Sequence, residues 1–253
     1  MYAPINNSYD PEAGTSFTKR GRSRSLDPSY EFAESVVRQG FIRKVFGLLA
    51  VQLAITAAIT AAFVLSDAVK LYVAANTWVL ISSVIGSFAL VITMSVWEAG
   101  RRHHPTNLML LFAFTICEGV LVGAASATYD TKVVLMAAGL TAGVVASLAA
   151  YAMQTKHDFT ASGGALMSVL FTLIFASILQ SFLRVAWLHI AIAAGGAALF
   201  SIYLVFDIQL MMGSGAVAIS PDEYVFAALS LYLDILNLFL YILQLVNEMQ
   251  KNN

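Results

Sequence analysis

Apolar residues dominate seven long runs of the chain, and polar residues are concentrated in the stretches between them. Each run reaches the roughly 20 residues that a helix needs to cross the hydrocarbon core of a bilayer. The pattern predicts spans at Val45–Ser66, Leu71–Trp97, Leu108–Thr128, Val133–Met153, Ser162–Leu183, Ala186–Asp207 and Val225–Val246. We therefore predict an all-α, polytopic membrane protein that forms a seven-transmembrane-helix bundle.

The residues before the first run have a different character. Residues 1–30 are polar, contain prolines, and carry the basic run Lys19–Arg24, which is typical of a disordered tail. Residues Glu31–Lys44 mix apolar and basic side chains and predict an interfacial helix that leads into the membrane. The domain prediction is thus a cytosolic tail at 1–30 and a seven-helix transmembrane domain at 31–253.

Composition and charge agree with a membrane protein. Hydrophobic residues make up 59% of the chain and charged residues 11%, whereas soluble domains carry about 25% charged residues. The net charge of −1 gives no indication of nucleic-acid binding. Most Lys and Arg lie on the side of the amino terminus, which predicts a cytosolic amino terminus and a carboxyl terminus on the other side. The acidic pair Asp222 and Glu223 before the last run leaves a re-entrant seventh segment open.

The last run combines an apolar surface with a polar stripe. Its polar residues recur at intervals of three and four, as positions on one helix face do: Ser230, Asp234, Asn237, Tyr241, Gln244 and Glu248. An ionised carboxylate at the centre of a span costs roughly 2.5–3.5 kcal/mol on insertion scales. The stripe should therefore face a protein interior or a water-filled path.

Two aspartates are placed to meet. Asp207 ends the sixth predicted span, one turn after Tyr203, and Asp234 lies two to three turns into the seventh span from the same side. Two close carboxylates cannot easily both ionise, so one takes up a proton and the pair titrates jointly. When deprotonated, Asp207 and Asp234 would offer an oxygen site for a hard cation such as Ca²⁺. A structural hydrogen bond between the two helices is the alternative.

The other candidate residues follow from their positions near this pair. Glu118 lies in the third span, near Asn107 and Thr115, and is predicted to line a polar path together with Tyr203, Ser230, Asn237 and Tyr241. Arg101 and Arg102 are the nearest mobile cations and are latch candidates; as topological anchors they need no further role.

Several separated motifs resemble the Bax-inhibitor/lifeguard family of transmembrane proteins, and the form of the last one resembles lifeguard members. These motifs are VRQGFIRKVFGLLAVQLAIT, RHHPTNLMLLFAFTICEGVLVG, YLVFDIQ and SPDEYVFAALSLYLDILNLFLYIL. The resemblance implies seven helices with the last one central, a pH-controlled Ca²⁺ leak from intracellular stores, and suppression of stress-induced cell death. It also implies that the family's aspartate pair falls on Asp207 and Asp234, its arginine latch on Arg101 or Arg102, and its third-helix glutamate on Glu118.

Competing functions are weighed by local sequence. An intramembrane aspartyl protease places its second aspartate after flexible glycines, whereas Leu231, Tyr232 and Leu233 precede Asp234. Proton-coupled transporters show repeated halves and helices broken by Gly or Pro, which this sequence lacks. We therefore expect no enzymatic activity and no resident cofactor, with Ca²⁺ as transported ion. A non-conducting regulator that binds other channels or cell-death proteins remains open.

The expected partners are the lipid bilayer, Ca²⁺ and protons. The expected location is the endoplasmic reticulum or Golgi membrane, with the vacuolar or plasma membrane as alternatives.

Overall fold

The structure, a computed structural model, describes residues 28–97, 100, 103–213 and 216–251, with side chains from residue 35 onward. The predicted tail, including Lys19–Arg24, thus lies outside the described residues apart from its last three positions, where the first helix begins. Eight α-helices and two 3₁₀ turns (Thr160–Ser162 and Pro221–Glu223) form within the described residues. The helices are α1 (Pro28–Leu65), α2 (Asp67–Ala75), α3 (Trp78–Val96), α4 (Thr106–Ser126), α5 (Thr131–Gln154), α6 (Gly163–Leu183), α7 (Ala186–Met212) and α8 (Tyr224–Lys251).

Seven of these helices are long and apolar enough to cross a membrane, namely α1 and α3 to α8. No strand occurs in the parts of the chain that the structure describes. The prediction of an all-α protein with seven membrane-spanning helices is therefore confirmed, and the protein is an integral, multi-pass membrane protein. The last helix, α8, has 28 residues, which corresponds to about 42 Å at 1.5 Å per residue and suffices to cross the bilayer.

The second predicted span, Leu71–Trp97, is wrong as a single helix. The structure divides it into α2 and α3, with the break at Asn76. The Asn76 amide Nδ2 donates to the carbonyl oxygen of Tyr72 at 2.8 Å, and its Oδ1 accepts from Nε1 of Trp78 at 3.3 Å. An asparagine that bonds the backbone in this way competes with helix continuation. The hydropathy of the run is continuous, and the break comes from one polar side chain.

The sixth predicted span ends too early. It was placed at Ala186–Asp207, whereas α7 continues to Met212 and ends at Gly213, whose φ of 66° requires the left-handed conformation that glycine adopts without strain. Asp207 consequently lies inside the helix, more than one turn before its end. Gln209, which follows Asp207 in the extended part of the helix, is buried, and both polar atoms of its amide are bonded.

The helix α8 occupies the centre of the packing. The most apolar stretch of α8 is 56% buried within the protein, whereas that of every other membrane-spanning helix among the described residues is 33% buried or less. It packs against α7, α5 and α4, while α3 packs on α4 and α6 packs on α7. The expectation of a central last helix agrees with this arrangement. The polar stripe of α8 is therefore turned toward other helices.

The helices α4, α6 and α8 begin, and α5 and α7 end, at the same end of the bundle, which we call the near end. Here Gln209 of α7 bonds the connection between α5 and α6 with both atoms of its amide. Its Oε1 accepts from the backbone N–H of Phe159 at 2.8 Å, and its Nε2 donates to the carbonyl of His157 at 2.7 Å. This pair of bonds fixes the start of α6 to the end of α7.

Asp158 extends this fixed region to the segment before α8. Its Oδ1 accepts from the backbone N–H of Thr160 at 2.8 Å and from the Thr160 hydroxyl at 2.6 Å, and its Oδ2 accepts from the backbone N–H of Ala216 at 2.9 Å. Hydrogen bonds from the Thr160 side chain and from the Ala216 backbone stabilise the ionised form and hold the pKa of the Asp158 carboxyl below its usual range.

Candidate functional site

The two predicted aspartates do meet. Asp207 of α7 and Asp234 of α8 line one cavity, and their side chains are neighbours there. Asp234 is only 6% exposed. A hydrogen bond between the two carboxyl groups would need a proton on one of them, because an ionised carboxylate only accepts.

One carboxyl oxygen of Asp234 lacks a hydrogen-bond partner among the described residues. This atom, Oδ2, is buried. A buried polar atom without a partner is costly and is usually explained by water, an ion or a functional role. The hydroxyl of Tyr203, one turn before Asp207, is also buried without a partner among the described residues. The ring of Tyr203 packs against Phe200, with the ring centroids 5.9 Å apart.

Both aspartates line a cavity of about 970 Å³ between α3, α6, α7 and α8. Four of the predicted path residues lie on the same cavity: Tyr203, Ser230, Asn237 and Tyr241. The remaining walls are mostly apolar and include Phe88 of α3 and Met167 of α6. None of the described residues that line the cavity is Lys or Arg. The polar stripe of α8 therefore faces this cavity over about three helical turns.

Tyr241 is the last residue along α8 that lines the cavity. Its ring stacks on Phe200 with centroids 5.9 Å apart, and Ser177 of α6 lines the same cavity. The ring passes directly over Gly196 of α7: a Cβ at that position would lie 2.5 Å from ring carbons of Tyr241. Gly196 is thus required for the position of Tyr241.

The last two residues of the predicted stripe lie elsewhere. Gln244 is not among the residues that line the cavity. Glu248 forms an ion pair with Lys251 at 2.9 Å, one turn from the end of α8. The polar stripe therefore faces the cavity from Ser230 to Tyr241, and its last residues belong to an ordinary helix end.

Glu118 is placed outside this cavity. Its carboxylate accepts a hydrogen bond from Ser87 of α3, so it lies in the interface between α3 and α4. Its predicted companions face other neighbours, because Asn107 donates to the hydroxyl of Tyr224 at 2.8 Å and Thr115 accepts from Gln52 at 3.0 Å. Phe88, the residue after Ser87, does line the cavity. Glu118 is therefore a neighbour of the cavity wall.

A buried polar network connects α8 to two other helices, and the sequence did not indicate it. Tyr232 is fully buried, and its hydroxyl lies 2.7 Å from the hydroxyl of Thr56 in α1. Thr56 also donates to the carbonyl of Gln52 at 3.0 Å, and Gln52 donates to Thr115 of α4. These bonds join α1, α4 and α8. Each residue is an isolated polar residue in an apolar run, so no local spacing could have connected them.

The cations predicted as latches, Arg101 and Arg102, lie outside the described residues. Among the described basic groups at the near end, Lys44 has its ammonium 5.6 Å from the centroid of the Tyr224 ring. This cation–π contact holds Lys44 at the start of α8.

Cation binding at the pair would depend on few protein ligands. The described residues contain no group of three or more His, Cys, Asp or Glu side chains that could hold a metal ion. Ca²⁺ takes six to eight oxygen ligands. Two carboxylates, the neighbouring side-chain oxygens of Ser230 and Asn237, and water would have to supply them. The residues present therefore fit a passing or weakly held cation.

Seven membrane-spanning helices around a buried pair of aspartates define a polytopic membrane protein with an ionisable site inside its bundle. Residues 38–252 match the Bax1-I family, described as "Inhibitor of apoptosis-promoting Bax1". Protein lifeguard 3 of Homo sapiens is 36% identical over 249 residues, which cover 97% of this chain and 80% of that protein. The Golgi anti-apoptotic protein of Vaccinia virus (strain Lister) is 32% identical over 233 residues, which cover 90% of this chain and 95% of that protein.

The chain belongs to the Bax-inhibitor/lifeguard family. The resemblance noted in its separated motifs is thereby confirmed.

Proposed function

We propose that this protein is a pH-sensitive calcium leak channel of an intracellular membrane. The observation that carries the proposal is that Asp207 and Asp234 are neighbours in the wall of the 970 Å³ cavity, with Oδ2 of Asp234 buried and without a partner among the described residues. An acidic residue inside a membrane-spanning bundle is by default a candidate for proton or ion handling.

The pair can act as a switch because its proton is part of the contact between α7 and α8. With a proton, the two carboxyl groups bond each other and hold the helices together. Without it, two negative charges face each other at short range in a poorly solvated place, and the contact becomes repulsive. The paired arrangement is therefore favoured at low pH, and its population falls as the pH rises through the joint titration of the pair.

The deprotonated pair has a second property. Two carboxylates attract a divalent cation into the cavity, where Ser230 and Asn237 add neutral oxygens. Proton release thus both loosens the contact between α7 and α8 and creates the cation site. Each unit by which the pair's pKa differs between two conformations is equivalent to about 1.4 kcal/mol. Two such units shift their populations about a hundredfold.

The names of the relatives support the cellular side of the proposal. One is called a Golgi anti-apoptotic protein, and the family description refers to inhibition of apoptosis-promoting Bax1. A steady leak lowers the calcium content of a store and thereby limits the calcium that stress can release from it. We propose the Golgi or endoplasmic reticulum membrane as the location and a cytosolic amino terminus as the orientation.

The test is calcium flux through purified protein in liposomes loaded with a calcium-sensitive dye, measured between about pH 5 and 8. The variants are Asp207→Asn, Asp234→Asn and the double variant. Either single change should flatten the pH response, and the double variant should add little, because both residues share one titration. Asp130→Asn, an exposed aspartate at the start of α5, is the matched control and should keep the wild-type profile.

Two results would contradict the proposal. If both single variants keep the wild-type pH profile, the aspartates are structural and are not the sensor. If wild-type protein that is correctly folded gives no flux at any pH, the protein does not conduct. The anti-apoptotic name of one relative and the description of the family then favour the second candidate, a membrane regulator that binds other channels or cell-death proteins.

A further inference from the structure

A second cavity lies on the other side of α8 from the aspartates. This groove, of about 710 Å³, runs between α1 and α5, and residues Ile235, Leu236 and Phe239 of α8 form its floor. Along α1 it extends from Phe46 to Leu65. We call it the α1–α5 groove.

The dimensions of the α1–α5 groove fit a narrow occupant. From Phe46 to Leu65 the helix rises about 28 Å, close to the roughly 30 Å thickness of the hydrocarbon core. The groove is therefore an elongated slot of about 710 Å³ that runs along α1 through much of the hydrocarbon region, a shape that suits a hydrocarbon chain.

The lining is suited to hydrocarbon. Nearly all lining residues are apolar, and the polar ones are threonines. The hydroxyls of Thr56 and Thr141 already bond within the protein, to Tyr232 and to the carbonyl of Ala137 respectively. No charged residue is among the described residues that line the groove. The hydroxyl of Thr60 has no partner among the described residues, but an occupant with several polar groups along its length would leave most of them without partners.

The two ends of the groove differ. At the far end, Val64 of α1, Val133 and Val134 of α5, and Leu243 and Val246 of α8 pack into one buried cluster beside the groove. At the near end, two basic residues lie a few positions beyond the lining residues. Arg43 lies three residues before Phe46 in α1, and Lys156 lies seven residues after the lining residue Ala149; both are exposed. Basic residues at this depth attract anionic lipid headgroups.

We propose that the α1–α5 groove is a binding site for an anionic phospholipid, with one acyl chain between α1 and α5 and the headgroup at Arg43 and Lys156. The lipid comes from the leaflet that faces these two residues. The site is separate from the aspartate cavity, and the inference does not depend on the protein being a channel.

The first test measures lipid retention. Wild-type protein is purified in mild detergent from vesicles of phosphatidylserine and phosphatidylcholine in equal amounts, and bound lipid per chain is quantified by mass spectrometry. We expect wild type to retain phosphatidylserine in preference to phosphatidylcholine. Ala146→Phe places a ring in the groove and should lower retention about tenfold, which corresponds to about 1.4 kcal/mol. Ala150→Phe, at an exposed position of α5 that does not line the groove, should leave it unchanged.

A double variant tests the contact with the headgroup. Arg43→Gln combined with Lys156→Gln leaves the groove open and should abolish the preference for phosphatidylserine over phosphatidylcholine while keeping a bound lipid. An unchanged preference in this double variant overturns the assignment of the headgroup. Equal retention by wild type and Ala146→Phe, or no retention by wild type, overturns the groove as a lipid site.

A second measurement needs no variant and so does not depend on the folding of Ala146→Phe. Phosphatidylserine with a photoreactive diazirine on its acyl chain is added to wild-type protein, and the labelled residues are mapped. Labels should concentrate on the walls of α1 and α5 that face the groove. An even distribution that includes the exposed face of α6, for example Phe171 and Phe175, shows ordinary contact with bulk lipid and contradicts the proposal.

Discussion

Removing the hydroxyl of Thr56 should destabilise the protein more than removing the hydroxyl of its partner Tyr232. Thr56 already donates to the carbonyl of Gln52, so the tyrosine hydroxyl is the donor in their 2.7 Å bond. In Tyr232→Phe, Thr56 keeps its own bond. In Thr56→Val, the hydroxyl of Tyr232 stays buried in a side chain that is 0% exposed, and the carbonyl of Thr115 at 3.5 Å is a poor substitute acceptor.

The expected magnitudes follow from this asymmetry. Losing one ordinary hydrogen bond in Tyr232→Phe should cost about 1 kcal/mol, and leaving a buried donor unsatisfied in Thr56→Val should cost about 2 kcal/mol. The double variant removes both groups at once. Its cost should therefore be lower than the sum of the two by about 0.6 to 1.7 kcal/mol, the usual range for interhelical hydrogen bonds in membrane proteins.

The assay is equilibrium unfolding with sodium dodecyl sulfate in mixed micelles, followed by circular dichroism, for the four members of the cycle. Tyr151→Phe and Thr172→Val, at exposed positions, are the matched controls and should change the free energy of unfolding by less than about 0.5 kcal/mol. A Tyr232→Phe cost equal to or above that of Thr56→Val, or strict additivity in the double variant, would refute the reasoning.

Three further predictions concern other parts of the chain. Glu118→Gln should leave the pH midpoint of calcium flux unchanged, because Glu118 lies outside the aspartate cavity; a shift as large as that of Asp207→Asn would place it in the titrating group. The hydrogen bonds that Asp158 accepts from Thr160 and Ala216 lower the pKa of its carboxyl from 3.8. These bonds therefore stabilise the connection between α7 and α8 at neutral pH. They are lost only when the pH falls below about 3.8 and through the lowered pKa. Limited proteolysis of the connection between α7 and α8 should therefore be constant from about pH 5 to 8 and should increase at every pH in Asp158→Ala. A tag after Asn253 should be protected from protease in sealed organelles, and digestion without detergent would favour a carboxyl terminus on the cytosolic side.

Hydropathy located the membrane-spanning helices because burial in lipid acts on whole runs of side chains. It misplaced their ends where a single amide group decides the local hydrogen bonding. Asn76 divides an apolar run because its side chain bonds the preceding turn. Gln209 allows α7 to continue past Asp207 because its amide has partners in another connection, 50 and 52 positions away along the chain. Such partners are not visible in a local window.

The candidate site, too, could be predicted from local sequence only in part. The helical period of the last run was sufficient to place Ser230, Asp234 and Tyr241 on one face, and the structure finds them on one cavity. The opposite wall could not be predicted, because α6 contributes it with Ser177 and other residues of an apolar run without charge. Which helices face each other is a tertiary property that the periodicity of each one does not contain.

The amide of Gln209 has a mechanical consequence for the aspartate cavity. Its two bonds couple the start of α6 to the end of α7. These two helices, which form two walls of the cavity, are therefore expected to move together. In the proposed mechanism, repulsion between Asp207 and Asp234 would displace α6 and α7 together relative to α8. The cavity would widen along the seam between α7 and α8, where the carboxylates are, while the seam between α6 and α7 stays closed.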